Sequence, residues 1–233
     1  TAIPALSGIE SVGGGVRIGA ATTWSEIAEA SLPPALRSLQ LAAREVGGRQ
    51  IQNRATIGGN LVNASPAADG VPPLLALDAE VELASGRGIR RLPVAGFVTG
   101  PRHTALGADE IVSAILVPEA GGEARSHFLK LGARAYLLIS IVMVAGTIEL
   151  AAGRIARARI AVGACSPVAR RLPALEAALR GLPAEALGAF SVTEEHLAGL
   201  APITDVRASA AYRLDAARKL TARLLSALAG DRP

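Results

Sequence analysis

Ile51-Gln52-Asn53-Arg54-Ala55-Thr56-Ile57-Gly58-Gly59-Asn60-Leu61-Val62-Asn63-Ala64-Ser65-Pro66-Ala67-Ala68-Asp69 follows neither of the regular periods. Glycine, asparagine, serine and proline fall among apolar residues at no fixed interval, so the stretch reads as a long loop. Long loops inside compact chains commonly carry function. Within it, Thr56 to Asn60 places two residues without a Cβ beside a hydroxyl and a carboxamide. Successive backbone N–H groups at such a place can approach an anion without steric obstruction, and neutral donors suit a diphosphate. Thr56 and Asn60 add side-chain hydrogen bonds, while Asp69, an acceptor, suits a sugar hydroxyl or a ring N–H on the same ligand. The physical reading is a nucleotide-cofactor loop. A Gly-Gly turn in a purely structural loop fits the same spacing, and the residues alone leave the two open.

On the N-terminal side of this stretch, Gly13-Gly14-Gly15 followed by the alternating Val16-Arg17-Ile18-Gly19-Ala20 predicts a hairpin. Thr23 with Glu26 three residues on is a capping box, so a helix starts there and stops at Pro33-Pro34. Ala35 to Val46 carries Leu36, Leu39, Ala43 and Val46 at helical intervals and closes at Gly47-Gly48. On the C-terminal side, the expectation is a short helix over 72–77 and strands over 80–84, 89–93 and 110–117. The glycine-rich stretch from Pro118 to Glu123 is the best boundary, dividing 1–120 from 124–233. In the second part His127 to Leu131 leads into an apolar stretch from Ala135 to Ile148, interrupted by Ser140 and Gly146. Strands over 143–151 and 155–164 then turn at Ala152-Gly153. Helical segments are expected near 172–180, 183–200 and 208–228, the last with Leu214, Leu220, Leu224 and Leu228 inward and Arg213 largely elsewhere. A small sheet covered by helices is the implied layering.

Composition removes several classes. The chain has 233 residues, half of them hydrophobic, and a net charge of only +4, with its arginines interspersed among acids rather than gathered in a run. That is weak ground for a polyanionic partner. Six aromatic residues are too few for base-stacking platforms, so a nucleic-acid partner is not expected. A lone cysteine, Cys165, excludes an intrachain disulfide, a Cys-x-x-Cys pair and an iron–sulfur cage made by this chain alone. It reads as a buried inert thiol. His103, His127 and His196 are scattered without metal-ligand spacing, so no metal residues are named. No P-loop, Rossmann fingerprint or Gly-x-Ser-x-Gly elbow is present, and no catalytic residue is named. The apolar stretch from Ala135 is shorter than the roughly 20 residues a membrane span needs, and the first residues have no secretory pattern. A soluble, cytoplasmic protein is expected.

The chain resembles the FAD-binding medium subunits of molybdenum hydroxylases, the xanthine dehydrogenase and carbon monoxide dehydrogenase group. The matching segments are Ile18-Gly19-Ala20-Ala21-Thr22-Thr23, the stretch from Ile51 to Leu61, and Ala64-Ser65-Pro66-Ala67-Ala68-Asp69. Gly100-Pro101-Arg102, Glu110-Ile111-Val112, Phe128-Leu129-Lys130-Leu131 and Asp205-Val206-Arg207 follow in the family's order. The resemblance implies an α+β chain. Its first part is an FAD-binding domain of the vanillyl-alcohol-oxidase (PCMH) type, and its second a small C-terminal domain of a three-stranded sheet with helices. It implies that Thr56, Ile57, Gly58, Gly59 and Asn60 line the FAD diphosphate, that Asp69 hydrogen-bonds the cofactor, and that Val46 and Gly47 pack near the adenosine end. Val112 and Lys130 would also touch FAD, the lysine favouring the negatively charged reduced ring. Tyr136 is a contact near the isoalloxazine face or, equally, a core or interface tyrosine.

By the same resemblance the chain is an electron-transfer subunit. Electrons from the [2Fe-2S] clusters of a small subunit would pass through FAD to NAD or another acceptor, while a molybdopterin-binding large subunit oxidises the substrate. The family's earlier Ala-Gly-Gly-Thr segment has no counterpart after Thr1, so an N-terminally truncated FAD domain is expected, a fragment of a longer subunit. The alternative is a non-catalytic assembly subunit of the same complex that has lost FAD. A self-contained flavin reductase would need an acid or base that the sequence does not offer.

Overall fold

The structure is a computed structural model that describes residues 3–133 and 139–230. The strands are β1 (Ile9–Val12), β2 (Gly15–Gly19), β3 (Glu80–Ser85), β4 (Gly88–Pro93), β5 (Val98–Gly100), β6 (His103–Thr104), β7 (Ile111–Pro118), β8 (Glu123–Leu131), β9 (Val142–Ala151), β10 (Arg154–Gly163) and β11 (Arg170–Arg171). The helices are α1 (Trp24–Glu29), α2 (Arg37–Glu45), α3 (Arg49–Gln52), α4 (Ile57–Asn63), α5 (Val71–Ala76), α6 (Val94–Phe97), α7 (Pro173–Leu179) and α8 (Ala210–Ala229). One antiparallel sheet has the order β1-β2-β7-β3-β4 and a second the order β11-β10-β9-β8, with β5 and β6 as a separate small ribbon.

Local chemistry accounts for the elements that stood out in the sequence. The turn at Gly13-Gly14 joins β1 to β2, with Gly14 and Gly15 both at positive φ. At Gly15 a Cβ would stand 2.1 Å from the Val117 carbonyl oxygen on β7, so only glycine fits that edge. The capping box of α1 is complete: Thr23 Oγ1 accepts from the Glu26 backbone N–H, and Glu26 Oε2 accepts from the Thr23 N–H at 2.7 Å. Gly47, at φ +55°, ends α2 in the left-handed conformation, where a Cβ would meet Ile51.

The second sheet is a middle layer. Phe128, Met143, Ala145 and Ala161 face the core of the first part, together with Trp24, Leu39, Ile57 and Leu74. Val142, Val144, Ile160 and Val162 face the opposite way, onto Leu175, Leu179, Leu220, Leu224 and Leu228 of α7 and α8. Both faces of β9 are therefore covered, which is why its sequence is apolar without alternation.

Four expectations change. The stretch from Gln50 to Asp69 is irregular only in part: it holds most of α3 and all of α4, both too short to announce a period. The span 183–200 is not one helix but two 3-10 turns, Ala184–Ala189 and Glu195–Leu197, because Pro183, Gly188 and Gly199 prevent a longer run. The second sheet has three long strands plus the two-residue β11 on its edge. Arg213 is turned inward and 3% exposed, donating to the carbonyls of Ile141 and Ala164 and to Asp205 Oδ1, while Leu214 is 36% exposed. Its two Nη groups thus find oxygen partners without water, while the buried Nε has none.

Candidate functional site

Thr56 caps α4 and stands opposite Thr23, the cap of α1, in an isolated antiparallel bridge. The Trp24 N–H donates to the Ala55 carbonyl and the Ile57 N–H to the Thr22 carbonyl, so the two helix starts are tied together. All four leading N–H groups of α4 are spent inside the protein. Ile57 donates to Thr22 O, Gly58 to Ala20 O at 2.9 Å, Gly59 to Thr56 Oγ1 at 3.1 Å and Asn60 to Thr56 O at 3.0 Å. The expected cradle of free backbone donors is thus absent from this turn, since the helix start has been pulled onto the end of β2 and used as a structural joint.

The paired glycines do different work. Gly58 is buried, and a Cβ there would lie 2.7 Å from both the Cβ and the carbonyl oxygen of Ala20. Gly59 is exposed, its Cβ position meeting only Thr56 Oγ1 at 3.0 Å. Close approach of a ligand is therefore open at Gly59 and closed at Gly58. The Thr56 hydroxyl accepts from Gly59 and donates to no group among the described residues. Asn60 Oδ1 is buried with no hydrogen-bond partner, and it crowds Gly70 so closely that a Cβ there would sit 2.8 Å away.

Beside Gly70, the Asp69 side chain is 10% exposed. Lys130 Nζ on β8 donates to its Oδ2 at 2.7 Å, and Ser140 Oγ, just before β9, donates to its Oδ1 at 2.7 Å. Lys130 Nζ also donates to the carbonyl of Glu45 at 2.9 Å, placing a cation at the C-terminal end of α2, where helix carbonyls lack partners. Burial pushes the Asp69 carboxyl above its ordinary value, against the opposing pull of Lys130 and Ser140.

Of the residues singled out in the sequence, Asp69 and Lys130 meet directly, and Val46 and Gly47 follow Glu45 at the same corner. Thr56 to Asn60 adjoin them through Asn60 and Gly70. Val112 is 8% exposed on β7 and paired with Leu83; its neighbour Ser113 accepts at its carbonyl from the N–H of Ala20, the residue on which α4 is seated. Tyr136 lies outside the described residues. Sequence reasoning missed Ser140 and the Glu45 carbonyl. The serine had a trace, as a hydroxyl interrupting an apolar stretch, but the carbonyl had none, because every residue has one.

Comparison with known proteins agrees with this architecture. The pattern describing the FAD binding domain in molybdopterin dehydrogenase matches residues 1–120, and that of the CO dehydrogenase flavoprotein C-terminal domain matches residues 127–228. The chain is 34% identical over 216 residues to a xanthine dehydrogenase FAD-binding subunit of Escherichia coli, covering 91% of this chain and 74% of that one. It is 32% identical over 225 residues to the nicotine 6-hydroxylase medium subunit of Paenarthrobacter nicotinovorans, covering 96% and 78%. A solved carbon monoxide dehydrogenase from Hydrogenophaga pseudoflava superposes with a TM-score of 0.88 at 30% identity, over 97% of this chain and 79% of that one. The chain belongs to the FAD-binding medium subunits of the xanthine dehydrogenase and carbon monoxide dehydrogenase family.

The residues present fit that cofactor. Asn60 Oδ1 is a buried acceptor without a donor, as a cofactor hydroxyl or ring N–H would require. Gly59 leaves the turn open to a diphosphate, with the Thr56 hydroxyl available to donate to it. Among the described residues no group of His, Cys, Asp or Glu could hold a metal ion, and no helix is long and apolar enough to cross a membrane.

Proposed function

We propose that this chain is the flavin-bearing electron-transfer subunit of a molybdenum hydroxylase complex. It would stand between the [2Fe-2S] clusters of a small subunit and NAD or another acceptor, with the organic substrate oxidised at a molybdopterin-binding large subunit, in the cytoplasm. Support for the oxidoreductase assignment comes from relatives named as subunits of xanthine dehydrogenase and medium chain of carbon monoxide dehydrogenase. The lone cysteine agrees, because cluster ligands must then come from other chains. We also propose that 1–120 forms the FAD-binding domain and 124–233 the second domain.

The observation that carries the reading is the buried Asn60 acceptor without a partner, at the head of α4 and beside the Asp69–Lys130 pair. When bound, FAD supplies exchange between one-electron and two-electron transfer. The chain's own residues bind and orient it. The Thr56 hydroxyl would donate to the diphosphate, which the bare Gly59 lets approach, Asn60 would accept from a hydroxyl or ring N–H, and Val46 and Gly47 would border the adenosine end. Lys130 would hold a fixed positive charge where it favours an anionic reduced ring.

The test is the visible absorption of the complex containing this chain, with and without substrate. Flavin bands that bleach on substrate addition, and that Asn60→Ala weakens, are expected. A complex that turns over with an artificial acceptor while this chain carries no flavin would overturn the reading in favour of an assembly subunit.

A further inference from the structure

β7 breaks the alternation that a regular strand keeps. Val117 and Ile115 face the core of the first part, so a period of two would place Ser113 on that face and Val112 on the other. The reverse is found. Val112 belongs to the core with Val81 and Leu83, while Ser113 turns to the opposite face, where its side chain meets Glu82. Ala114 pairs with Glu82 and Val112 with Leu83, so Ser113 is one residue too many opposite β3, a β-bulge.

The extra residue of a bulge is left out of the ladder and its polar groups need other partners. Ser113 Oγ donates to Glu82 Oε1 at 2.9 Å and lies 3.2 Å from the Glu82 carbonyl oxygen. The Ser113 carbonyl accepts from the Ala20 N–H at 3.0 Å. Glu82 is itself only 5% exposed. Arg91 on β4 donates to its Oε2 through Nη2 at 2.9 Å and Nε at 3.2 Å, and Arg17 on β2 reaches its Oε1 at 3.5 Å. An enclosed carboxylate is costly unless paired, and no part of the proposed function uses this one. Its place opposite the bulge does. The Ala20 carbonyl accepts from the Gly58 N–H at 2.9 Å, and α4 packs against β7. A line of hydrogen bonds therefore runs from Glu82 through Ser113 and Ala20 to the head of α4, which Thr56 caps and which carries Asn60.

We infer that Glu82 and Ser113 are positioning residues for the flavin site: they hold the β7 bulge that seats the head of α4, and so set where Thr56 and Asn60 meet the cofactor. This deepens the proposed function and rests on it for the identity of the ligand. The hold on the bulge does not rest on it.

Hydrogen exchange tests that hold without flavin, with α8 as an internal reference. In Ser113→Ala and in Glu82→Leu, peptides spanning 18–23 and 57–61 should exchange several-fold faster while α8 is unchanged, with cooperative melting confirming that each variant is folded. If Glu82→Leu does not fold, Ser113→Ala decides alone. Unchanged exchange of these peptides in a folded variant overturns the inference. The second readout is FAD affinity, measured by titrating the complex after its flavin has been stripped. Ser113→Ala should weaken FAD binding several-fold, and by much less in an Asn60→Ala background, because the bulge acts through the head of α4. Equal weakening in both backgrounds would mean that Ser113 acts by another route and would overturn the inference. A wild-type complex that takes up no FAD would instead sink the proposed function, and the exchange rates would still decide the hold on α4.

Discussion

Glu110 has almost no freedom of its own. Arg90 grips it through two bonds, Nε to Oε1 at 2.6 Å and Nη2 to Oε2 at 2.7 Å, and the Gly107 N–H donates to Oε2 at 2.7 Å. The Arg90 hydrogen bonds first, then the Gly107 amide, lower its pKa from 4.5 to about 2. A carboxylate depressed in this way contributes stability that is fully present above 4.5 and is lost as the pH falls through about 2. Thermal melts of wild type and Glu110→Gln should therefore differ above 4.5 and converge as the pH approaches about 2. Cys165 is the opposite case. Burial pushes its thiol up to about 11, its Sγ lies against the Arg213 carbonyl, and the inert character expected from the sequence follows from that seat. In the sequence only the family resemblance set Lys130 apart. Its importance comes from Asp69 and Glu45, which are distant in the chain and adjacent in space.

At the scale of elements, short helices set the limit of what could be read. The capping box of α1 was legible because its signal is local, two side chains three residues apart. α4 has the same kind of cap in Thr56, but its glycines and asparagine resemble loop chemistry, and its single apolar face shows only Ile57 and Leu61. What holds α4 helical is its seat on β2. Gly58 lets the helix backbone touch Ala20, and the Gly58 N–H donates to the Ala20 carbonyl. Gly58→Ala gains intrinsic helix propensity yet should destabilise the protein by about 1–3 kcal/mol, because the new methyl forces α4 off the strand. Chemical denaturation measures that change. Flavin retention in the same variant should fall with it, since Thr56 and Asn60 move with the helix.

Across the whole molecule, the first part is joined to the second sheet by ion pairs as well as apolar packing. Arg159 on β10 is 4% exposed; its Nε donates to the Ala76 carbonyl at 2.9 Å, and its guanidinium pairs with Asp78 at 3.2 Å and with Glu149. Asp78 also receives Arg157 at 2.7 Å and Arg171 at 2.8 Å, and Arg171 continues to Glu176. Removing a buried member of such a set leaves its partners uncompensated, so Arg159→Met should cost about 3 kcal/mol, read from the denaturation midpoint at constant slope.

The sequence by itself determined the long elements and which polar groups the Thr56-to-Asp69 stretch carries. The β2 hairpin, the α1 cap, β9 with β10, α8 and the Thr56-to-Asp69 residues are all encoded in neighbours along the chain. Tertiary structure alone decided that the amides at the head of α4 are spent on Ala20, Thr22 and Thr56, that Gly58 serves packing while Gly59 stays open, that Arg213 turns inward, and that Asp69 closes on Lys130 and Ser140. The physical reason is that hydrogen bonds and buried charges are satisfied by whatever the fold brings near. Local patterns fix which groups a segment carries, and only the packed molecule fixes which of them remain free for a ligand.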